Sequence, residues 1–332
     1  MMRDKKLRSI FALIMVIGFW FVSADAYALT PKEIYQKVSP GVVFMFASEG
    51  HGKGNGGTGS IIREDGLVIT NAHILTRKDS SQLISNIWVF LKPEPVTGNP
   101  KADLVKRYRA EVMAYDPQLD LALVKILNLD APLTRVSFGD SAKVGVGDQA
   151  YAIGHPEQGG LWSLTTGVIS AHRSDYGGVP GKDLFQTEAS INRGNSGGPL
   201  LDVQGVMIGV NSMIARKAED GLAITDVNFS IKSNVALNWL DREGYRFAAV
   251  EAIPSEAGER PLKQEVQRPE EYPRPTEEVQ KPEPESLKGR RQGNILTEKN
   301  PFNMDELIAG MEEMEDLMEE MREKIREFRT RR

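Results

Sequence analysis

One serine sits between small residues in "NRGNSGGPL", residues 192–200. Serine and glycine are ordinary turn residues, so a plain turn is one account of Ser196. A nucleophile is the other. A serine hydroxyl attacks a carbonyl only with a base to take its proton, a carboxylate to orient that base, and N–H donors for the developing oxyanion. The chain has four histidines, His51, His73, His155 and His172. His51 lies in the glycine-rich "EGHGKGNGG", His155 in "IGHPEQGG" and His172 in "SAHRS". His73 alone ends a strongly apolar strand pattern, "GLVITNAHIL", where a framework can hold a side chain still. Asp120 in "DPQLDLALVKI" has Leu119, Leu121 and Leu123 around it. A carboxylate in that setting needs a partner, and an imidazole N–H is a suitable one. Asp116 is the rival, although "DP" reads as a turn. Spacing alone does not choose between them.

The elements that must position these residues are short. From Gly41 onward, "GVVFMF", "TGSIIR", "GLVITNAHI", "NIWVFL", "RAEVMAY" and "LALVKI" form one series of apolar and β-branched runs. "QAYAIG", "LTTGVISAH", "LFQTEA", "GPLLD", "GVMIGVNSMI" and "LAITDVNF" form a second. Both read as strands, and the break near "LDAPLTRVSFGDSAKV" divides them into two all-β units, over about 41–135 and 140–235. Thr30, Pro31 and Glu33 have the spacing of a helix N-terminus, predicting a short helix to about Lys37. "SIKSNVALNWLDREG" predicts a closing helix, which ends the globular unit, 29–247.

The flanks differ in texture. "MMRDKKLR" is basic, "SIFALIMVIGFWFV" is uncharged, and small-x-small follows at Ala26, Tyr27 and Ala28. That is the layout of a secretory signal over 1–28, with an uncleaved anchor as the alternative. The apolar run is shorter than the roughly 20 residues a spanning helix needs. Prolines at 254, 261, 269, 273, 275, 282 and 284 among many charges make 248–300 a disordered linker. In the last segment, 301–332, Met304, Leu307, Met311, Met314, Met318, Met321, Ile325 and Phe328 alternate steps of three and four. They predict an amphipathic, heptad-patterned helix that seeks a partner.

Composition narrows the function classes. The 332 residues are 40% hydrophobic and 26% charged, with a formal net charge of -5, unlike the basic face of a nucleic-acid binder. There are no cysteines, which removes thiol catalysis, thiolate metal sites and disulfide staples. "EGHGKGNGGTGS" lacks the GK[ST] ending of a phosphate loop. The scattered histidines have no metal-ligand spacing, so no cofactor and no metal is expected.

"TNAHI", "DLALVKI" and "INRGNSGGPLLDVQGVMIGVNS" resemble the three signature blocks of the HtrA/Deg serine proteases. "SPGVVFM", "GTGSII", "AIGHP" and "TTGVISA" resemble further strands of that family in the family's order, over roughly residues 31–240. The resemblance implies a chymotrypsin/trypsin-like double β-barrel with the cleft between barrels. It implies a catalytic triad of His73, Asp120 and Ser196, with the oxyanion hole made by the backbone N–H groups of Gly194 and Ser196. Ser190 would lie at the bottom of the primary substrate pocket, and Asn211, Ser212 and Met213 would supply the strand that pairs with an extended substrate. Ser190 stands where tryptic enzymes carry an aspartate, so the expected preference is for Val, Ala or Ile before the cut. The implied activity is endopeptidase action on unfolded polypeptides in the bacterial periplasm or cell envelope, with anchoring in the inner membrane as the alternative. The family also forms homo-oligomers, often trimers.

The chain departs from the family pattern twice. "FLKPEPVTGNPKADLVKRYR" lengthens the connection between the histidine and aspartate blocks, with Lys101, Lys106, Arg107 and Arg109 as a basic patch. No PDZ pattern follows residue 245, where the linker begins instead. Two other readings therefore stand beside the endopeptidase. One is a catalytically silent scaffold or chaperone that works through binding and its terminal helix. The other is a protease that cuts its own linker.

Overall fold

The computed structural model describes residues 28–250 except 51–52, 78–79, 81, 158 and 213–226. The expected signal segment up to residue 27, the linker beyond Val250 and the heptad helix lie outside the described residues, as do His51 and Met213; Val250 N itself donates to Phe138 O at 2.7 Å.

Twelve strands make two closed barrels. The first comprises β1 (Val42–Gly50), β2 (Lys53–Arg63), β3 (Leu67–Thr70), β4 (Asn86–Phe90), β5 (Arg107–Asp116) and β6 (Leu121–Ile126), in the order β1-β2-β3-β6-β5-β4. The second comprises β7 (Gln149–Gly154), β8 (Ser163–Arg173), β9 (Leu184–Thr187), β10 (Pro199–Leu201), β11 (Met207–Ser212) and β12 (Asn228–Lys232). Read from β7, its order is β7-β8-β9-β12-β11-β10, which repeats the first. All pairings within the barrels are antiparallel, and β1–β4 and β7–β10 close them. Closure leaves no strand edge unpaired within either barrel.

Period-2 alternation explains how the barrels both fill and join. On β1, Val43, Met45 and Ala47 point into the first barrel among Ile61, Val68, Val89 and Val124. Their neighbours Val42, Phe44 and Phe46 face the other way, into a cluster shared with Tyr151, Ile153, Trp162 and Met207 of the second barrel. On β7, Ala150 and Ala152 fill the second barrel beside Phe185 and Ile208, while Tyr151 and Ile153 join the shared cluster. β1 is therefore apolar on both faces, which is why "GVVFMF" shows no alternation in the sequence. Trp162 Nε1 crosses the seam to donate to Val42 O at 2.8 Å.

The helices act as straps. α1 (Pro31–Val38) has the expected reciprocal cap: Thr30 Oγ1 accepts from Glu33 N, and Glu33 Oε2 accepts from Thr30 N at 2.8 Å. It buries Ile34 and Val38. Lys37 Nζ donates to Gln204 O at 2.7 Å, tying the start of the chain to the β10–β11 turn before it enters the first barrel. The lengthened β4–β5 connection contains a short helix, α2 (Pro100–Asp103). Asp103 is fully buried, and its carboxylate accepts from Thr97 N, Thr97 Oγ1 and Gly98 N at 2.8–2.9 Å. The insertion is thus an ordered loop closed around one carboxylate. Of its expected basic residues, Arg107 and Arg109 lie over the Trp88 ring, at 4.7 and 4.1 Å. α3 (Ser233–Arg242) buries Val235, Ala236, Trp239 and Leu240 against the second barrel. Among the described residues no helix is long and apolar enough to cross a membrane.

Candidate active site

Two elements of the first barrel bring His73 and Asp120 together. β3 ends at Thr70, and a single 3-10 turn, Ala72–Ile74, presents His73. Asp120 precedes β6 and holds φ +60, a left-handed conformation that is uncommon for a residue with a side chain. Asn71 Nδ2 donates to Asp120 O at 2.9 Å and fixes that backbone. The carboxylate accepts from His73 N at 3.1 Å and from His73 Nδ1 at 3.0 Å (Oδ1) and 2.9 Å (Oδ2). A carboxylate can only accept, so Nδ1 carries the ring proton and Nε2 of the neutral imidazole is left basic. The His73 side chain is 46% exposed, whereas that of Asp120 is 15% exposed. An accessible base backed by a sheltered acid can shuttle a proton. Asp116, the rival carboxylate, accepts instead from Gln118 N and Leu119 N of its own turn.

Ser196 comes from the β9–β10 connection of the second barrel. It is 3% exposed, and its carbonyl accepts from Thr58 N of β2 at 2.8 Å. Gly197 has φ +83, and a Cβ there would lie 2.1 Å from both Thr58 O and Thr70 Oγ1. Only glycine lets this turn press against the segment that leads to His73. Gly197 N also donates to Asn211 O at 2.7 Å, beside Ser212. Ser212 Oγ in turn donates to Asp120 Oδ2 at 2.7 Å. The serine turn therefore lies between the two segments that hold His73 and Asp120.

Gly194 has φ +99, and a Cβ there would stand 2.0 Å from His155 O. Glu157 N donates to Arg193 O at 3.0 Å, and Arg193 Nε pairs with Glu157 Oε1 at 3.0 Å. In a trans peptide the C=O and N–H point oppositely, so this bond aims the Gly194 N–H away from the 155–157 segment. That is the orientation in which the N–H can meet an oxyanion.

The remaining expected residues are placed as follows. Ser190 is exposed. Its carbonyl accepts from Thr165 Oγ1 at 3.0 Å and Asn195 Nδ2 at 3.3 Å, and its hydroxyl accepts from Asn192 Nδ2 at 3.1 Å. Asn211 is buried, and its side-chain amide donates to Pro199 O at 3.0 Å, inside the loop framework. Ser212, expected only at the substrate strand, also touches the acid. No pattern in "GVNSM" signals that bond, which depends on packing between barrels. His172 is exposed near Lys232 Nζ, at 3.3 Å. Its pKa is lowered by partial burial, with Lys232 adding to the effect and Asp148 opposing it. His155 is fully buried, and burial pushes its pKa down to about 3.

Comparison with known proteins agrees with this geometry. Residues 57–210 match the family described as a trypsin-like peptidase domain. The magnetosome formation protease MamE of Paramagnetospirillum magneticum is 38% identical over 195 residues, covering 58% of this chain and 24% of that protein. A probable periplasmic serine endoprotease of Brucella suis, DegP-like, is 34% identical over 187 residues, covering 56% of this chain and 32% of its own length. Its counterpart in Chlamydia trachomatis is 32% identical over 262 residues, covering 76% and 47%. The chain thus spans about a quarter to a half of the length of these curated relatives. Among solved structures, the HtrA-type protease AlgW with a tripeptide superposes with a TM-score of 0.51 at 28% identity, over 64% of this chain and 62% of that one.

Proposed function

From the premise that the two barrels form a trypsin-like serine protease domain of the HtrA/DegP type, we propose that the protein is a serine endopeptidase. The observation that carries the proposal is the Asp120 carboxylate on His73 Nδ1, at 2.9 and 3.0 Å, beside the Ser196–Gly197 turn. His73 Nε2 takes the proton of Ser196 Oγ as that oxygen adds to the peptide carbonyl carbon. The oxyanion accepts from the N–H groups of Gly194 and Ser196. Collapse breaks the C–N bond, and His73 returns the proton to the departing amine. Water then repeats the sequence on the acyl-enzyme and frees Ser196. Asp120 holds the imidazole in the required tautomer and stabilises its charged form.

The substrates in this reading are unfolded or extended polypeptides. Ser190 supplies no charge for a buried Lys or Arg, so cleavage follows Val, Ala, Ile or similar residues. The compartment is the bacterial periplasm or envelope, which agrees with the signal-like first 28 residues and with the periplasmic DegP-like relatives. The working unit is the protease domain over 29–247, self-associating as a homo-oligomer such as a trimer, with the linker and heptad-patterned segment as a tether to a partner.

The test is digestion of unfolded casein by residues 29–332 and by the Ser196→Ala variant, with cut sites read by mass spectrometry. Cleavage by the parent alone, after small aliphatic residues, is the expected result. Cutting by both proteins sinks the mechanism. Cutting by neither, with folding verified and Ser196 inert to a fluorophosphonate, leaves a binding scaffold.

A further inference from the structure

His155 is a buried histidine with a directed hydrogen bond and no part in the steps above. It lies on "AIGHP", just after β7, with its ring edge-on to Trp162 at 4.7 Å and to Phe44 at 5.4 Å. Its Nδ1 stands 2.9 Å from Thr58 Oγ1. The same Thr58 Oγ1 stands 2.6 Å from Gly194 O. A carbonyl can only accept, so the single Thr58 hydroxyl proton goes to Gly194 O. Thr58 Oγ1 must then accept from His155, which fixes the neutral ring as its Nδ1–H tautomer. Nε2 is consequently a bare acceptor, and it has no partner among the described residues. The unpaired Nε2 is a cost that an apolar ring filling the same space would not carry. The directed Nδ1–H bond is what distinguishes histidine here from phenylalanine.

We infer that His155 and Thr58 form a hydrogen-bond relay that positions the oxyanion-binding peptide, with the Thr58 hydroxyl as the strut and His155 as the group that aims it. The Gly194 residue is gripped on both sides of its N–H. Glu157 N holds the preceding carbonyl, that of Arg193, and Thr58 holds the Gly194 carbonyl itself. With both carbonyls tied, rotation of the Arg193–Gly194 peptide would break the Glu157 bond and strain the Thr58 bond. Thr58 also donates its backbone N–H to Ser196 O, so one residue of the first barrel spans the whole hole. Burial pushes the His155 pKa down to about 3, so the ring stays neutral through the mildly acidic range. Both are positioning residues, since His155 acts through Thr58 and Thr58 acts through Gly194.

The inference rests on the protease reading, but its test separates the two. Thr58→Val keeps the shape and removes the donor, whereas Thr58→Ser keeps the donor and trims the shape. For a peptide substrate, Thr58→Val is expected to lower kcat on the order of a hundredfold, as removal of one oxyanion donor does, with KM nearly unchanged. Thr58→Ser should recover most of that loss. Unchanged kcat in Thr58→Val, or equal loss in both variants, overturns the relay. A turnover-free measurement covers the case of an inactive parent. In Ser196→Ala protein labelled with 15N, the His155 ring should show a neutral Nδ1–H signal that does not titrate from pH 5 to 8. Adding Thr58→Val should shift that signal and the amide resonances of Gly194 and Asn195. An Nε2–H tautomer, or a Gly194 amide indifferent to Thr58, rejects the inference whether or not the parent cleaves casein.

Discussion

In the first barrel, His73 and Asp120 hang from backbone that the barrel itself fixes. Asn71 anchors Asp120, Asp120 anchors the His73 backbone and ring, and β3 and β6, which carry them, are paired neighbours. In the second barrel, Ser196 sits in a turn held from both barrels, by Asn211 and the 155–157 segment of its own and by Thr58 of the other. Thr58 and Thr70 of the first barrel press on Ser196 and Gly197, and the 155–157 segment grips Arg193 and Gly194. The strand order is the same in both barrels, so the difference is not one of fold. On the proposed mechanism, it teaches that the acid–base half is built mostly into its barrel, with one bond from Ser212, while the nucleophile half is completed by contact between barrels. Damage to the first half should cost chemistry with little loss of folding. Damage to the second should cost both.

Four substitutions probe this contrast, from the largest effect to the smallest. Asp120→Asn keeps the shape but lets His73 adopt the wrong tautomer, and kcat should fall about 10⁴-fold with the thermal midpoint little changed. A midpoint that collapses would show that the acid is structural instead. Gly197→Ala drives a Cβ into Thr58 O and Thr70 Oγ1 at a positive φ. It should destabilise the fold by about 1–3 kcal/mol or more, together with a large loss of turnover. Calorimetry beside kinetics would read both, and a stable but inactive variant would weaken the contrast. Ser212→Ala removes the bond that, among the described residues, reaches the Asp120 carboxylate from the second barrel. Loss of a hydrogen bond to a charged group is worth about 1.5–3 kcal/mol, so kcat should drop at least about tenfold, in steady-state kinetics, with the fold intact. No change would make the acid independent of the second barrel.

The smallest effect lies away from the cleft, on the first barrel alone. Asp65 is held by Arg63 first, then by Lys125, and its pKa is lowered to about 2. The folded-state value lies below the usual carboxylate value of about 3.9, so the pair stabilises the fold above about pH 4. That contribution fades as pH falls through about 2. Because these side chains are substantially exposed, Asp65→Asn should cost less than about 1 kcal/mol at neutral pH, and the cost should shrink as pH falls towards about 2. Denaturant melts at pH 7 and pH 2.5 would show it. Activity at pH 7 should not change.

Much of this arrangement is legible in the sequence because it depends on local patterns. The Thr30–Glu33 cap, the short apolar runs and the helix at 233–242 are properties of consecutive residues. The position of His73 at a strand end and the leucines flanking Asp120 are equally local. What stayed hidden depends on contacts between distant segments. Ser212 on Asp120, Asp103 closing the insertion, and Thr58 between His155 and Gly194 join residues whose pairing no periodicity encodes. The identical order of the two barrels is hidden for another reason. Most of β2 is buried, whereas its counterpart β8 leaves much of itself partly exposed, so equivalent strands do not look alike. "AIGHP" could be read as a strand end, but the ring proton of its histidine follows only from where Thr58 sends its own.

The tie between Lys37 and Gln204 joins residues 167 positions apart. A ribosome adds about 5–20 residues per second, so the leading helix emerges on the order of ten to thirty seconds before its docking turn exists. Through that interval its apolar side, with Ile34 and Val38, and the outward row of β1 have no second barrel to cover them. The early chain must be kept from sticking to others, and the serine turn cannot be completed until nearly the whole domain has been made.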